Sequence, residues 1–423
     1  MSGPDFAARG LVAQVSRRMR RQSVLDRLAR GIARVGGALP GLMGAPPTLG
    51  SPSANSAVAG TLLSPIADPE AFTFLRARWG VAGPGYPANG FFAPFAVTDP
   101  VGGNNGGCAP AIRFHCSAAD FELYLLDKAG TSGQFRLKAD GHYVAAGRQG
   151  PTKADGSLLY QRVTWGDGSA AFRQPRLYEI EAGPLFRFGG IKLPATDSLW
   201  PAPVADGITL LVHGDSFVEG TGASGTDLPP PFAAQVGLLL GQPNTITSGL
   251  GGTGFLNTAN GQRATFGGRL ATDVLPFAPD VVIETGGIND DGLVGASAAT
   301  VQAAVTAWLA ALVAALPDVR VFMTGPMSQG SAGNGGPNAL VRDGKRAAAA
   351  LFPDHVRFID NLAEAWVTGT GRSGAPQGDG NADWVTGGTD GSDPTHPTDL
   401  GHAYLARRVA DGVAAALGTN LLG

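Results

Sequence analysis

A chain of 423 residues with 43% hydrophobic and only 15% charged residues is too long for one typical core and unlike a disordered sequence, so two domains with extensions are expected. A net charge of -3 excludes a nucleic-acid binder that works through overall charge. The 64 glycines and 31 prolines imply many turns and a loop-rich architecture with β content.

Residues 1–35 form a segment of their own. Leu11, Val15, Met19, Leu25, Leu28, Ile32 and Val35 recur at roughly helical spacing, with arginines on much of the opposite surface. This predicts a basic amphipathic helix, although Gly10 and Gly31 weaken it. Eight arginines against Asp5 and Asp26 give the segment a charge of +6. Such a helix can lie on an anionic membrane, dock in a larger assembly, self-associate, or fold back on its own chain. Arg17, Arg18, Arg20 and Arg21 interrupt any apolar signal core, so export by a classical signal is not expected. The Arg-rich, acid-poor start also resembles an organelle transit peptide, without a readable cleavage signal, and the compartment stays open. Nor is there a run of 18 apolar residues, so no transmembrane segment is expected. Residues 36–67, rich in Gly, Pro, Ser and Ala, read as a linker or as a stretch ordered only against a partner.

Residues 68–200 change to short β-like runs. Ile112, Phe114 and Cys116 alternate with Arg113 and His115, and Phe121, Leu123 and Leu125 follow. Phe135-Arg136-Leu137-Lys138, Asp140-Gly141 and His142-Tyr143-Val144 read as a hairpin. Several such strands with frequent turns predict an antiparallel β-sandwich. Tyr143, Tyr160 and Trp165 either line a sugar-binding face or fill the sandwich core. Cys108 and Cys116, eight residues apart with a strand-like run between them, are expected as free thiols.

From residue 201 to 423 the rhythm is strand, helix, strand. The expected strands are 208–212, 244–248, 280–285, 320–324 and 356–359; the expected helices are 232–240, 268–277, 298–316, 338–351 and 398–417. Five parallel strands with helices between them make a doubly wound α/β sheet, whose site should lie at the carboxyl ends of the strands.

Those ends carry the chemistry. After the first strand comes Gly214-Asp215-Ser216, and after the second a glycine turn from Gly249 to Gly254. The third ends in Gly286-Gly287-Ile288-Asn289-Asp290, and Asp393-Pro394-Thr395-His396 precedes the last helix. A serine on a strand-to-helix turn is exposed and rigidly held, as a nucleophile must be. A histidine can take its proton and return it to the leaving group, while an aspartate three residues away orients the imidazole. Backbone N–H groups and an asparagine amide can receive the developing oxyanion.

These four blocks, in this order, resemble the SGNH, or GDSL-type, hydrolase family over roughly residues 205–420. The resemblance implies a serine esterase in which Ser216 is the nucleophile, His396 the base and Asp393 its orienter. It also implies an oxyanion hole formed by Ser216 N–H, Gly252 and Asn289. Phe217 stands where the family name has Leu, and Gly249, Gly251 and Gly254 crowd the same turn as Gly252. The upstream β region, ending in Leu199-Trp200-Pro201, resembles by its layout the jelly-roll modules attached to some carbohydrate esterases of the family. The implied substrate is an O-acyl ester, often acetyl, on a carbohydrate. Two other readings stand beside this: a glycan-binding attachment protein docked by its N-terminal helix, and an acyltransferase using the same residues.

No cofactor or metal is expected. Gly249-Leu250-Gly251-Gly252-Thr253-Gly254 matches G-x-G-x-x-G but opens no helix, and the six histidines are scattered. His213 and His402 are expected to pack, and Asp215 and Asp290 to fix loops through backbone hydrogen bonds.

Overall fold

The computed structural model describes residues 4–81, 91–95, 110–127, 133–151, 155–183, 185–204, 208–223, 231–327, 338–369, 380–387 and 393–418. Cys108 lies outside them; Cys116 is a buried free thiol.

Five runs rich in Val, Ile and Leu form a parallel sheet in the order Thr245–Gly249, Leu210–Gly214, Val281–Glu284, Arg320–Thr324, Val356–Ile359. Side-chain alternation sends Leu210, Val212 and Ile283 into one core and Leu211, Val282 and Val321 into another, so both faces are covered. Sequence order reverses at Leu210–Gly214, which opens a crevice at the carboxyl ends of the strands.

Four expected helices form: Phe232–Leu239, Ala298–Ala315, Ala339–Ala350 and Asp399–Ala416. Ser297 opens the second with a reciprocal capping box to Thr300, and Thr398 caps the last by accepting from Gly401 N–H at 3.0 Å. The helix expected over 268–277 does not form as one element. A single π turn, Leu270–Val274, passes into a 3-10 turn at Leu275–Phe277, because Pro276 lacks the N–H that an α-helix needs. Helix Ala298–Ala315 has a mean hydropathy of 1.7, enough by length and composition to cross a membrane, which a count of uninterrupted apolar residues passes over. Val301, Val305, Trp308, Leu309 and Leu312 nevertheless pack it into the core.

Upstream lie two antiparallel sheets around a common core that includes Phe114, Phe121, Phe135, Tyr178 and Phe188. The expected hairpin pairs Phe135–Ala139 with His142–Tyr143, and Asp140 (φ 46°) and Gly141 (φ 84°) make its two-residue turn. Tyr143 is fully buried, Trp165 donates to the Tyr178 hydroxyl, and Tyr160 stacks on Tyr124. Trp165 packs against the sandwich core, whereas buried Tyr143 donates its hydroxyl to Glu181 at 2.8 Å beside Lys138.

Residues 36–67 are more than a linker. Thr48–Leu49 pairs with Leu158–Thr164, Thr61–Leu63 pairs with Phe188–Leu193, and Ser53 bridges to Tyr160. Sheet pairing satisfies a Gly/Pro-rich backbone that has few apolar side chains of its own.

The N-terminal helix spans Pro4–Val35 and folds back on its own chain. Val24, Leu28 and Ile32 join the core beside Phe232, Phe322 and Val409. Arg20 pairs with Asp318 at 2.7 Å, and Arg34 donates to Gly241 O at 2.9 Å. This stripe is consumed within the molecule, which removes the apolar face that self-association or docking would use over these residues.

The second sheet turns a charged face toward the parallel-sheet region. Arg76 contacts Glu179 and Glu181 at 2.8 Å each, Lys138 bonds both, and Arg76 Nε donates to Pro243 O at 2.7 Å. Across the strands Arg113 and Lys138 stand opposite Glu179, and Arg136 opposite Glu181, and Arg136, Lys138 and both glutamates are buried in this network.

Candidate active site

The turn after strand Leu210–Gly214 is built by close approach. A Cβ on Gly214 would stand 2.6 Å from Val218, so the chain needs glycine there to turn directly into the short helix Ser216–Glu219. Asp215 caps that helix by accepting from Phe217 N–H at 3.2 Å. Its other oxygen accepts from Gly287 N–H at 2.9 Å and Ile288 N–H at 3.3 Å, tying this turn to the Asn289 loop. Burial raises the Asp215 pKa above the ordinary carboxylate range despite those donors.

Ser216 is buried except for a small part of its surface, 6%. Its Oγ lies 2.9 Å from His396 Nε2, and His396 Nδ1 lies 2.5 Å from Asp393 Oδ2. Asp393 also accepts from the N–H groups of Thr395 (2.8 Å) and His396 (3.1 Å). Partial burial works against its ionisation, but the His396 ring and the two N–H groups hold the carboxyl below its usual value. Strand Asp393–Pro397 pairs with Thr386–Gly387, and Phe217 packs 5.9 Å from the imidazole. The hydroxyl, imidazole and carboxylate form one line of hydrogen bonds.

Hydrogen-bond donors lie on the neighbouring strand-end loops. Four glycines crowd the turn after strand Thr245–Gly249, and their N–H partners separate them. Gly249 belongs to the strand opposite Gly214, Gly251 N–H donates to Glu219 at 2.7 Å, and Gly254 N–H donates to Asn257 O at 3.0 Å. Gly252, at φ 73°, makes no hydrogen bond through its N–H to another described residue. Asn289 Nδ2 donates one hydrogen to Thr253 O at 2.9 Å, its second having no acceptor among the described residues, while Asn257 Nδ2 donates to the Asn289 carbonyl at 2.6 Å. Asp290 accepts from Phe255, Leu256 and Asn257 N–H groups at 2.8 to 2.9 Å. A Cβ on Gly254 would collide with it at 2.1 Å, so Asp290 serves as the loop anchor expected of it.

The histidines set aside do pack. His213 lies between Phe266 and Trp308 at 4.7 and 5.4 Å, and burial lowers its pKa well below the usual value. His402 Nε2 donates to Thr221 O at 3.1 Å, and burial takes its pKa down to about 4.

Sequence reasoning missed several residues around the cleft. Glu219 holds Gly251, and Arg263 donates to Gly251 O at 2.6 Å. Arg269, fully inside, donates to Ser248 Oγ at 2.7 Å and Gly214 O at 2.5 Å. Glu284 and Lys345 meet behind the Asn289 loop at 2.6 Å. The available signal was a charged residue inside an apolar period, as at Glu284 after Val281-Val282-Ile283.

A doubly wound parallel sheet with a serine turn and a facing imidazole at its strand ends fits an ester hydrolase of the α/β type. Residues 212–404 match the GDSL-like lipase/acylhydrolase family, and the chain carries a domain of that family. No curated protein matches the chain in sequence. Among solved structures, a salicylyl-acyltransferase from a tetracycline biosynthetic pathway is 16% identical with a TM-score of 0.57, over 87% of this chain and all of that one (100%). A family two carbohydrate esterase from Clostridium thermocellum, in complex with cellohexaose, is 15% identical with a TM-score of 0.54, over 82% of this chain and 99% of its own. An acetyl xylan esterase from the rumen bacterium Butyrivibrio proteoclasticus is 14% identical with a TM-score of 0.52, over 82% and 98%. At these identities the likeness shows a shared fold.

Proposed function

We propose that this protein is a serine esterase that removes a short acyl group, acetyl in the first place, from a carbohydrate ester. In this reading Ser216 attacks the ester carbonyl and His396 Nε2 takes its proton. Asp393 keeps the other ring nitrogen protonated and stabilises the imidazolium that forms. The tetrahedral oxyanion is received by the N–H groups of Ser216 and Gly252 and by the Asn289 amide. His396 then returns the proton to the leaving alkoxide; water repeats the sequence and releases the acid. The observation that carries this reading is the continuous line from Ser216 Oγ through His396 to Asp393, at 2.9 and 2.5 Å.

The carbohydrate part rests on fold likeness to two esterases whose names state carbohydrate and acetyl xylan. The chain is read as a β module of jelly-roll type over 68–200, extended by strands from 36–67, ahead of a catalytic domain over 201–423. The 1–35 helix is read as a strut of that catalytic domain.

The test is hydrolysis of p-nitrophenyl acetate and of a panel of acetylated polysaccharides, against long-chain lipid esters, with labelling by a fluorophosphonate. Release of acetate, and labelling that disappears in Ser216→Ala, is the expected result. An unlabelled, inactive wild type overturns the esterase; activity confined to long-chain esters overturns the carbohydrate substrate. Product analysis with competing sugar acceptors separates hydrolysis from acyl transfer, the chemistry named for the salicylyl-acyltransferase.

A further inference from the structure

Two opposite charges face each other behind the Asn289 loop with no exposure to solvent. The side chains of Lys345 and Glu284 are both 0% exposed, and Nζ stands 2.6 Å from Oε2. Helix Ala339–Ala350 carries Val341, Lys345 and Ala348 on one inward stripe at i, i+4 and i+7. Apolar packing is what that pattern ordinarily supplies, so a lysine there is out of place unless something holds it.

What it holds is one glycine. Lys345 Nζ donates to Gly286 O at 2.7 Å, and Gly286 N–H donates to Glu284 Oε1 at 2.8 Å. The ion pair therefore grips both backbone groups of the residue that begins the Asn289 loop. Around it there is no slack: a Cβ on Gly286 would lie 2.5 Å from Phe266 and 2.8 Å from Gly214 Cα. Val341, one turn before Lys345, stands 3.1 Å from where a side chain on Gly287 would begin. The same helix thus presses residues 286–287 against the turn that leads into Ser216.

Two more buried carboxylates lie within range of this ammonium. Asp215 and Asp290 each feel Lys345, and each is spent on backbone N–H groups of the strand-end loops. Arg269, on Gly214 O and Ser248, is another buried cation that acts on Asp215 and Glu284. Burial pushes the Glu284 carboxyl up to about 7 against the pull of Lys345. A buried ion pair seldom stabilises more than an apolar pair of the same volume. What this pair adds is direction, a fixed hold on both ends of Gly286.

We propose that Lys345 is a positioning residue for the esterase reaction: with Glu284 it clamps Gly286 and so sets the Asn289 amide relative to Ser216. This inference rests on the proposed function. Lys345→Met leaves Glu284 buried and uncompensated, so the decisive variant is Glu284→Gln with Lys345→Met, which replaces the pair by neutral groups of similar size.

Thermal unfolding of this double variant is expected near that of the wild type. Its kcat on p-nitrophenyl acetate should fall by about 10-fold or more while KM stays within about 2-fold, the mark of a lost transition-state contact. Added to Asn289→Ala it should cause little further loss, because both changes act through one amide. Glu284→Gln alone keeps an acceptor for Gly286 N–H and should retain more activity than the double variant. A folded double variant with wild-type kcat, or a loss that multiplies with that of Asn289→Ala, overturns the inference. Ser216→Ala in the same assay separates the two claims. Hydrolysis independent of Ser216 removes the proposed function and this inference with it, whereas a Ser216- and Asn289-dependent enzyme indifferent to the pair removes the inference alone.

Discussion

His396 Nε2 stands 2.9 Å from Ser216 Oγ although 180 positions separate the two residues. One lies at the end of the first parallel strand and the other just before the last helix. The sheet brings them together because the crevice opens where strand order reverses. Each partner is held by its own neighbours: Asp215 caps the serine turn, and Asp393 orients the ring.

If Asp393 serves to hold the imidazole, Asp393→Asn should lower kcat on p-nitrophenyl acetate by about 10³–10⁴ with little change in KM. Because ring and backbone donors keep the carboxyl below its usual range, it stays ionised as pH falls through that range. Any acid loss of kcat/KM that comes from protonating Asp393 should accordingly fall below the ordinary aspartate range. A pH–rate profile on the folded variant and wild type checks both points.

Removing the Asn289 amide should slow turnover by about 10²–10³, equivalent to roughly 3–4 kcal/mol of transition-state stabilisation. Asn289→Asp keeps the size but not the donor and should behave alike. Steady-state kinetics decide it, and a wild-type kcat in Asn289→Ala would remove this side chain from the oxyanion hole.

The N-terminal helix is expected to matter for stability more than for chemistry. Leu28 is completely buried beside residues of the parallel-sheet core. Leu28→Ala should cost about 2–5 kcal/mol, and deletion of residues 1–35 should expose Phe322 and Val409 and lower the unfolding temperature sharply. An unchanged unfolding temperature after the deletion would show that the helix is dispensable.

Acid should destabilise the fold through His402. Burial takes this ring from 6.5 down to about 4, so the folded state keeps it neutral while the unfolded chain takes up a proton. Its contribution is fully present above the unfolded value and is lost as pH falls from there toward the folded one. The loss should reach about 3 kcal/mol between about pH 8 and about pH 4. Urea unfolding of His402→Gln across that window should show a correspondingly flatter dependence; a slope equal to that of the wild type would assign the acid loss to other groups.

Local patterns were legible wherever one physical cause dominated. The runs at 208–212 and 356–359 could be read as strands because apolar β-formers admit little else, and Asp140-Gly141 announced its turn through φ > 0. The helix expected at 268–277 failed at Pro276, whose missing N–H outweighs the apolar spacing. Residues 36–67 carry no strand pattern of their own because backbone pairing, not side-chain character, orders them. Lys138 and Arg136 are interior because of facing glutamates some forty positions away, a partnership no local pattern announces.

The sequence by itself determined the class of fold, the family and the four blocks at the strand ends, since each is written in contiguous residues whose types constrain the backbone. The tertiary structure decided what depends on distant partners. It distinguished Gly252 from its neighbours by an N–H that no other described residue accepts, and turned the N-terminal helix inward onto its own core. It also put Lys345 and Glu284 behind Asn289, where burial makes a charge pair a directional clamp. Contiguous chemistry can be read along the chain, but burial and hydrogen-bond partnership exist only once the chain has closed on itself.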